Sequence, residues 1–245
     1  MSAGWLANGL LGVDFESTGI QPLTARIVTA CVAYRSESDS GWTKTWIADA
    51  GCEIIPDAAV AIHGVTTEKA HAEGQPVADV AEEVRGHLVE AWAKGVPVVA
   101  YNASYDLTLL NAELVRAGHT PLSIDGPVLD PLGMDRALDR YRRGGRKLAD
   151  VCAHYGVRHT SAAPGEAASD GAHEAPADVL AALRVLWRIG QCYPKVAELE
   201  LAVLMEQQAI WHAEWADSIE AYWRSVGKGD SVERAWPIRR VEVGA

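Results

Sequence analysis

Residues 10–19, LLGVDFESTG, constrain this chain more than any other stretch. A short apolar run carries two carboxylates, Asp14 and Glu16, and closes in a Ser-Thr-Gly turn signal. Side chains on a strand alternate faces, so residues two apart point the same way, roughly 6–7 Å apart along the chain. The pattern predicts a strand with Asp14 and Glu16 on one face and Phe15 in the core on the other. Two acids on one face of a mostly buried strand repel unless positive charge sits between them. A pair of divalent cations meets that need; a strand end with both acids in solvent is the alternative.

The rest of the chain reads as a mixed α/β sheet covered by helices. Residues 26–34 (RIVTACVAY) and 43–48 (TKTWIA) read as further strands, and the short polar link 35–41 suits a hairpin, so the first three strands form an antiparallel meander. Pro56 and Asp57 mark a break before Ile62-His63-Gly64-Val65-Thr66 and a helix-like stretch. Helical spacing of apolar residues then predicts helices over 76–94, 104–117, 132–141, 147–155 and 175–191. Buried strands are expected at 96–101 (VPVVAY) and 126–130 (GPVLD). The basic stretch 140–147 (RYRRGGRK) suits either a solvated loop or a phosphate contact, and 159–171, rich in Ala, Ser, Gly and Pro, reads as a mobile loop.

From residue 195 onward Leu201, Leu204, Gln208, Trp211, Trp215, Ile219 and Tyr222 step by three or four along one long helix, with a coil tail after Gly227. That stripe needs cover, and packing on the preceding domain is the expected answer. The chain therefore divides into residues 1–192 and a helical extension and tail, 193–245. No internal repeat is visible.

Composition narrows the class. A net charge of −11 argues against a protein that coats nucleic acid through bulk charge, yet it suits an acidic metal site. The four cysteines, Cys31, Cys52, Cys152 and Cys192, contain no C-x-x-C and read as reduced thiols of a cytoplasmic protein. No basic segment followed by an apolar run opens the chain, and no apolar run approaches about 18 residues, so neither a secretory signal nor a membrane span is expected.

Two further clusters carry chemistry. Asn102-Ala103-Ser104-Tyr105-Asp106 sits where a buried strand hands over to a helix, which places Asp106 in the first helical turn. In His173-Glu174-Ala175-Pro176-Ala177-Asp178, Pro176 fits the first position of a helix and Asp178 falls in its first turn. On one helix His173 would lie about 140° around from Asp178. A shared site therefore requires His173 on the loop before the helix.

Taken in order, Asp-x-Glu, Asn-x-x-x-Asp and His-x-Ala-x-x-Asp resemble the DEDDh exonuclease family, which includes the proofreading subunit of bacterial DNA polymerase III, ribonuclease T and oligoribonuclease. The resemblance spans roughly residues 8–192. Its further stations are Ile-His-Gly-Val-Thr, Leu129-Asp130 and Lys147-Leu-Ala-Asp-Val-Cys-Ala-His-Tyr-Gly. A related variant carries tyrosine four residues before the last Asp; here that position is Glu174, so the histidine version is indicated.

The resemblance implies a ribonuclease H-like fold, a five-stranded mixed sheet flanked by helices with the site at the end of the first strand, here with an added long C-terminal helix. It implies two Mg²⁺ (or Mn²⁺) held by Asp14, Glu16, Asp106 and Asp178, with His173 as general base. Thr18, Gly19, Ile62 and His63 would lie beside the terminal sugar and base, and Asn102 and Tyr105 on the pocket floor. Tyr105 stands where many relatives carry phenylalanine. The implied activity is 3′–5′ hydrolysis of single-stranded ends releasing nucleoside 5′-monophosphates. DNA is the favoured substrate, because Ile-His-Gly-Val-Thr looks most like the proofreading branch; an RNA exonuclease of the ribonuclease T or oligoribonuclease type is the alternative. A reading of another class is a non-catalytic, polymerase-associated subunit that docks through its C-terminal helix. No clamp-binding peptide of the Gln-x-x-Leu-x-aromatic kind is visible, so a free-standing repair or phage-type nuclease stands beside membership of a replicase. A transposase-like nuclease is disfavoured by the His-x-Ala-x-x-Asp spacing.

Overall fold

The computed structural model describes residue 5 and residues 9–37, 41–51, 53–160 and 175–240. β1 (Leu10–Ser17), β2 (Ile27–Arg35) and β3 (Trp42–Asp49) form the antiparallel meander, with Gly12 opposite Ala33 and Asp14 opposite Cys31. The chain then runs through α1 (Asp57–His63), α2 (Thr67–Glu73), β4 (Gln75–Pro76), α3 (Val77–Ala93), β5 (Val98–Val99) and α4 (Ala103–Arg116). It continues through β6 (Val128–Leu129), α5 (Pro131–Leu138), α6 (Leu148–Tyr155), α7 (Ala175–Cys192), α8 (Pro194–Ala197) and α9 (Leu201–Ser225).

The sheet order is β4-β3-β2-β1-β5-β6, with β5 parallel to β1, β6 parallel to β5 and β4 parallel to β3. Among the described residues the sheet thus has six strands rather than five. The added one is Gln75–Pro76, a two-residue pairing on the outer edge of β3 whose sequence has none of the apolar alternation that marks a strand. The two apolar runs expected as longer strands pair over only two residues each; just past them Ala100 N still donates to Leu129 O at 3.2 Å, and Val96 is buried before β5. The break at Pro56 opens a helix, α1, which Gly64 ends in the left-handed conformation (φ 73).

Alternation along β1 separates two apolar layers. Leu11, Val13 and Phe15 join α3 and α4 on one side; Leu10, on the other, joins α6 and α7. Gly12 faces α7, and a Cβ there would stand 2.6 Å from Val179 Cγ1 and 3.1 Å from Leu183 Cγ. Its missing side chain lets α7 seat directly on β1, which brings Asp178 to the face that carries Asp14 and Glu16. On the opposite layer α4 is fixed by a buried ion pair. Glu113 Oε1 accepts from Arg26 Nε at 2.8 Å and from the Ile27 backbone N–H at 3.1 Å.

The long C-terminal helix docks on α5 and on the edge strand β6. Buried Gln208 takes the place of a further strand: its Oε1 accepts from Asp130 N at 2.8 Å and its Nε2 donates to Val128 O at 3.0 Å. Gln208→Leu leaves both backbone groups unpaired, each costing about 1–3 kcal/mol. We expect a fall in thermal midpoint of several degrees, measured by circular dichroism; an unchanged midpoint would remove this role.

The apolar stripe on α9 is buried only in part. Leu204 is fully buried and Trp211 packs on the domain, but Tyr222 is 60% exposed. At 1.5 Å per residue the 25-residue helix is about 37 Å long, so its end overhangs the short β6–α5 platform. The basic stretch is neither freely solvated nor wholly available to phosphate. Arg142 and Arg146 both ion-pair with the buried Asp135, while Arg140, Arg143 and Lys147 are exposed.

Candidate active site

β1 delivers Asp14 and Glu16, half-buried, to one face of the sheet, and the first turn of α7 lowers Asp178 onto them. One carboxylate oxygen from each of the three lies within 4.8 Å of the others. Asp106, in the first turn of α4, is buried and stands outside that group. Its carboxylate turns toward the Phe15 backbone N–H, the residue between the two β1 acids, and its charge still bears on Asp14 and Glu16.

The electrostatics follow from burial among like charges. Burial, then the carboxylates of Asp106, Asp178 and Glu16, hold Asp14 well above the ordinary carboxylate range. Glu16 is pushed up to about 7, by burial and then by Asp178. Burial raises Asp106 too, against the pull of its own and the Phe15 backbone N–H groups. Among the described residues, no Lys or Arg ion-pairs with Asp14, Glu16, Asp106 or Asp178. Clustered oxygen donors lacking a counter-cation are the donor set that a hard divalent ion requires.

A pH dependence follows. Between about 4.5 and about 7 the ion-free folded chain keeps a proton on Glu16 that the unfolded chain releases. That contribution to stability is whole below about 4.5 and is lost as pH rises to about 7. A cation binds the ionised acids, so its effect runs the other way. Mg²⁺ should raise the thermal midpoint little at pH 5.5 and clearly at pH 8. Equal shifts at both pH values would contradict the assignment.

Thr18, Gly19, Ile62, His63, Asn102 and Tyr105 all line one cavity of about 470 Å³, together with Glu16. Asn102 holds a left-handed backbone (φ 73), a conformation that asparagine tolerates better than most residues, and this turns β5 sharply into α4. The turn is tied by Asp130, whose Oδ1 accepts from Asn102 N and Leu132 N, both at 2.9 Å, and from Gly133 N at 3.3 Å. The Tyr105 hydroxyl, absent from a phenylalanine, bonds to Ser17 Oγ and to the Gly19 carbonyl, linking α4 to the end of β1. Thr18 Oγ1 accepts from Arg26 N at 2.9 Å, closing the turn after β1. His63 Nδ1 accepts from Val65 N at 3.2 Å, while its buried Nε2 has no partner among the described residues.

His173 lies outside the described residues. Ala175 and Pro176, which open α7, line a second cavity of about 340 Å³ with Glu16 and His63. One contact was not legible in the sequence: His159 Nε2 hydrogen-bonds Asp178 Oδ1. As one histidine among eight, nineteen residues before its partner, it carried no local signal. Asp130 was visible as a station of the resemblance, but its part in holding the Asn102 turn was not.

The sheet order, the end-of-β1 acids and the helix-borne acids beside them define a ribonuclease H-like fold of the DEDDh superfamily. The chain belongs to the exonuclease family: the family model described as "Exonuclease" matches residues 11–186. Among solved structures, the chain resembles E. coli exonuclease I in complex with a dT13 oligonucleotide, with 19% identity and a TM-score of 0.60, over 77% of this chain and 42% of that one. The complex of the same E. coli enzyme with a dA16 oligonucleotide matches at 20% identity and TM-score 0.64, over 78% and 42%. A zinc-ion-bound E. coli exonuclease I–ssDNA complex matches at 19% and 0.64, over 87% and 45%. The chain thus spans less than half the length of those proteins. Among curated proteins there is no significant sequence match. No helix among the described residues is long and apolar enough to cross a membrane.

Proposed function

We propose that this chain is a 3′–5′ exonuclease that acts on single-stranded DNA ends and releases nucleoside 5′-monophosphates, in proofreading or repair. One observation carries the reading: Glu16, a member of the acid group, also walls the cavity that Thr18, Gly19, Ile62, His63, Asn102 and Tyr105 line. A strand end seated there brings its last phosphodiester to the acids. The volume falls within the roughly 300–1,000 Å³ usual for ligand pockets.

Asp14, Glu16, Asp106 and Asp178 would hold two Mg²⁺ or Mn²⁺. Bound there, the cations would neutralise the acids, stabilise charge on the phosphate and lower the pKa of water. His173 takes a proton from the attacking water, a role that suits imidazole near neutral pH. Tyr105 offers an aromatic surface for the terminal base, and its bonded hydroxyl keeps the Ser17–Gly19 turn in place. Ile62, 54% exposed, offers an apolar contact from α1.

Residues 1–192 form the exonuclease domain in this reading, and 193–245 the extension and tail. The outer face of α9, where Ile210 and Tyr222 are more than half exposed, is the surface a polymerase partner would use. Cys31 and Cys152, buried thiols pushed up to about 12 chiefly by burial, suit a reducing cytoplasm.

The deciding experiment incubates the protein with 5′-labelled and 3′-labelled DNA and RNA oligonucleotides, in Mg²⁺ and in chelator. A ladder shortening from the 3′ end of DNA, in Mg²⁺ only, is expected. Faster loss from RNA would move the reading to the ribonuclease T type. Binding without cleavage would favour the interaction subunit.

A further inference from the structure

Beyond Gly227 the tail folds back on the molecule. Arg234 pairs with Asp217 at 2.6 Å and with Glu220 at 2.8 Å, and Val232 N donates to Glu220 Oε1 at 2.8 Å, which fastens the tail along α9. Trp236 and Ile238 then pack against the apolar layer that holds α4. The next residue, Arg239, donates its backbone N–H to Thr108 Oγ1 at 2.9 Å, and its Nε reaches Ser104 Oγ at 3.4 Å. Ser104 and Thr108 lie on the first two turns of α4, on either side of Asp106.

Arg239 also lines the cavity that holds Glu16, Asn102 and Tyr105, and among the described residues lining it Arg239 is the one Lys or Arg. No carboxylate of the described residues ion-pairs with it, and Glu233 acts on it only from beyond ion-pair distance. Arg35, Arg136 and Arg184, also half-buried, likewise make no ion pair among the described residues, but none of them lines this cavity. A half-buried guanidinium whose one hydrogen bond among the described residues is a long one from Nε to a serine hydroxyl keeps most of its donor fork for an incoming group. Phosphate matches that fork best, because two parallel N–H donors meet two oxygens. The need is real in a chain of net charge −11, where the cavity adjoins the acid group through Glu16 and the ligand is a polyanion.

We propose that Arg239 is a substrate-binding residue, its guanidinium taking phosphate oxygens of the strand end seated beside Glu16, so that the C-terminal tail completes the pocket. The assignment rests on the nuclease reading for its ligand. It adds a residue from beyond the stretch 11–186 that the exonuclease family model matches. Such a contact is made alike before and during the reaction, so it sets KM and leaves kcat nearly unchanged.

The test uses the full chain as wild type, R239Q, R239M and R239K. R239M keeps the apolar stem packed on α4, so loss of charge is separated from loss of packing. Hydrolysis kinetics are measured on a single-stranded DNA oligonucleotide in Mg²⁺. Binding of a fluorescent copy is measured by anisotropy in chelator over a salt series. R239Q and R239M should raise KM and Kd about tenfold, the lower end for a hydrogen bond to a charged group, with kcat within about threefold. Their slope of log Kd against log salt should flatten by about 0.7, one phosphate contact on a single strand. R239K should keep the slope and recover part of the affinity. A merely structural role would move kcat and melting temperature and leave the slope alone. Unchanged Kd and slope in both R239Q and R239M would overturn the proposal. A wild type that binds DNA but cleaves no strand would sink the nuclease reading, and the isotherms would still decide for or against Arg239.

Discussion

Replacing Asp14 or Asp178 by alanine is expected to lower turnover of a single-stranded oligonucleotide in Mg²⁺ by at least about 10³-fold, since bound cations supply several kcal/mol of charge stabilisation. The two acids come from opposite ends of the domain and meet because α7 seats on Gly12. Neither has a basic partner among the described residues apart from His159 on Asp178. The loss should therefore come without a loss of fold. In chelator Asp14→Ala should melt at or above wild type, because it removes a carboxylate held among like charges. Titration calorimetry with Mn²⁺ should show weakened or absent binding in both variants. Wild-type turnover in either variant would remove that acid from the site, and a lowered melting temperature in both would point to a structural role instead.

His173→Ala should lower turnover by about 10²–10⁴-fold, the usual worth of a general base, with metal binding retained. The expectation rests on the His-x-Ala-x-x-Asp spacing and on Ala175 and Pro176, which line a cavity wall with Glu16. His159→Ala is the informative control. His159 bonds Asp178 directly, so its loss should change metal affinity and cost no more than about tenfold in turnover. If His159→Ala proves the more damaging and His173→Ala is silent across roughly pH 6–9, the base has been assigned to the wrong histidine.

Much of this molecule was legible because its signals are local. Alternation in residues 10–15 sets which side of β1 each residue faces, and the meander, the helix over 77–93 and the helix over 103–116 follow from period and from turn residues. The three acid clusters were recognisable for the same reason: each is a short motif at the end of a strand or the start of a helix. Less visible were elements whose identity depends on a neighbour. The strand Gln75–Pro76 exists only through the edge of β3, and α1 was hidden because Pro56 and Asp57 read equally as a break or as a helix start. The overhang of α9 depends on the length of what it packs against, which no periodicity contains.

By itself the sequence determined the antiparallel meander, the main helices, the faces of β1 and the residue types able to hold a cation. Those are consequences of backbone period and side-chain chemistry within a few positions of one another. Only the tertiary structure decided that Asp106 stands outside the three acids whose oxygens gather within 4.8 Å, and that His159 reaches Asp178. It alone brought Arg239 from the tail to the cavity beside Glu16. Each of these pairs groups far apart along the chain, and their distance is fixed by how closely whole layers pack, a quantity that local pattern does not encode.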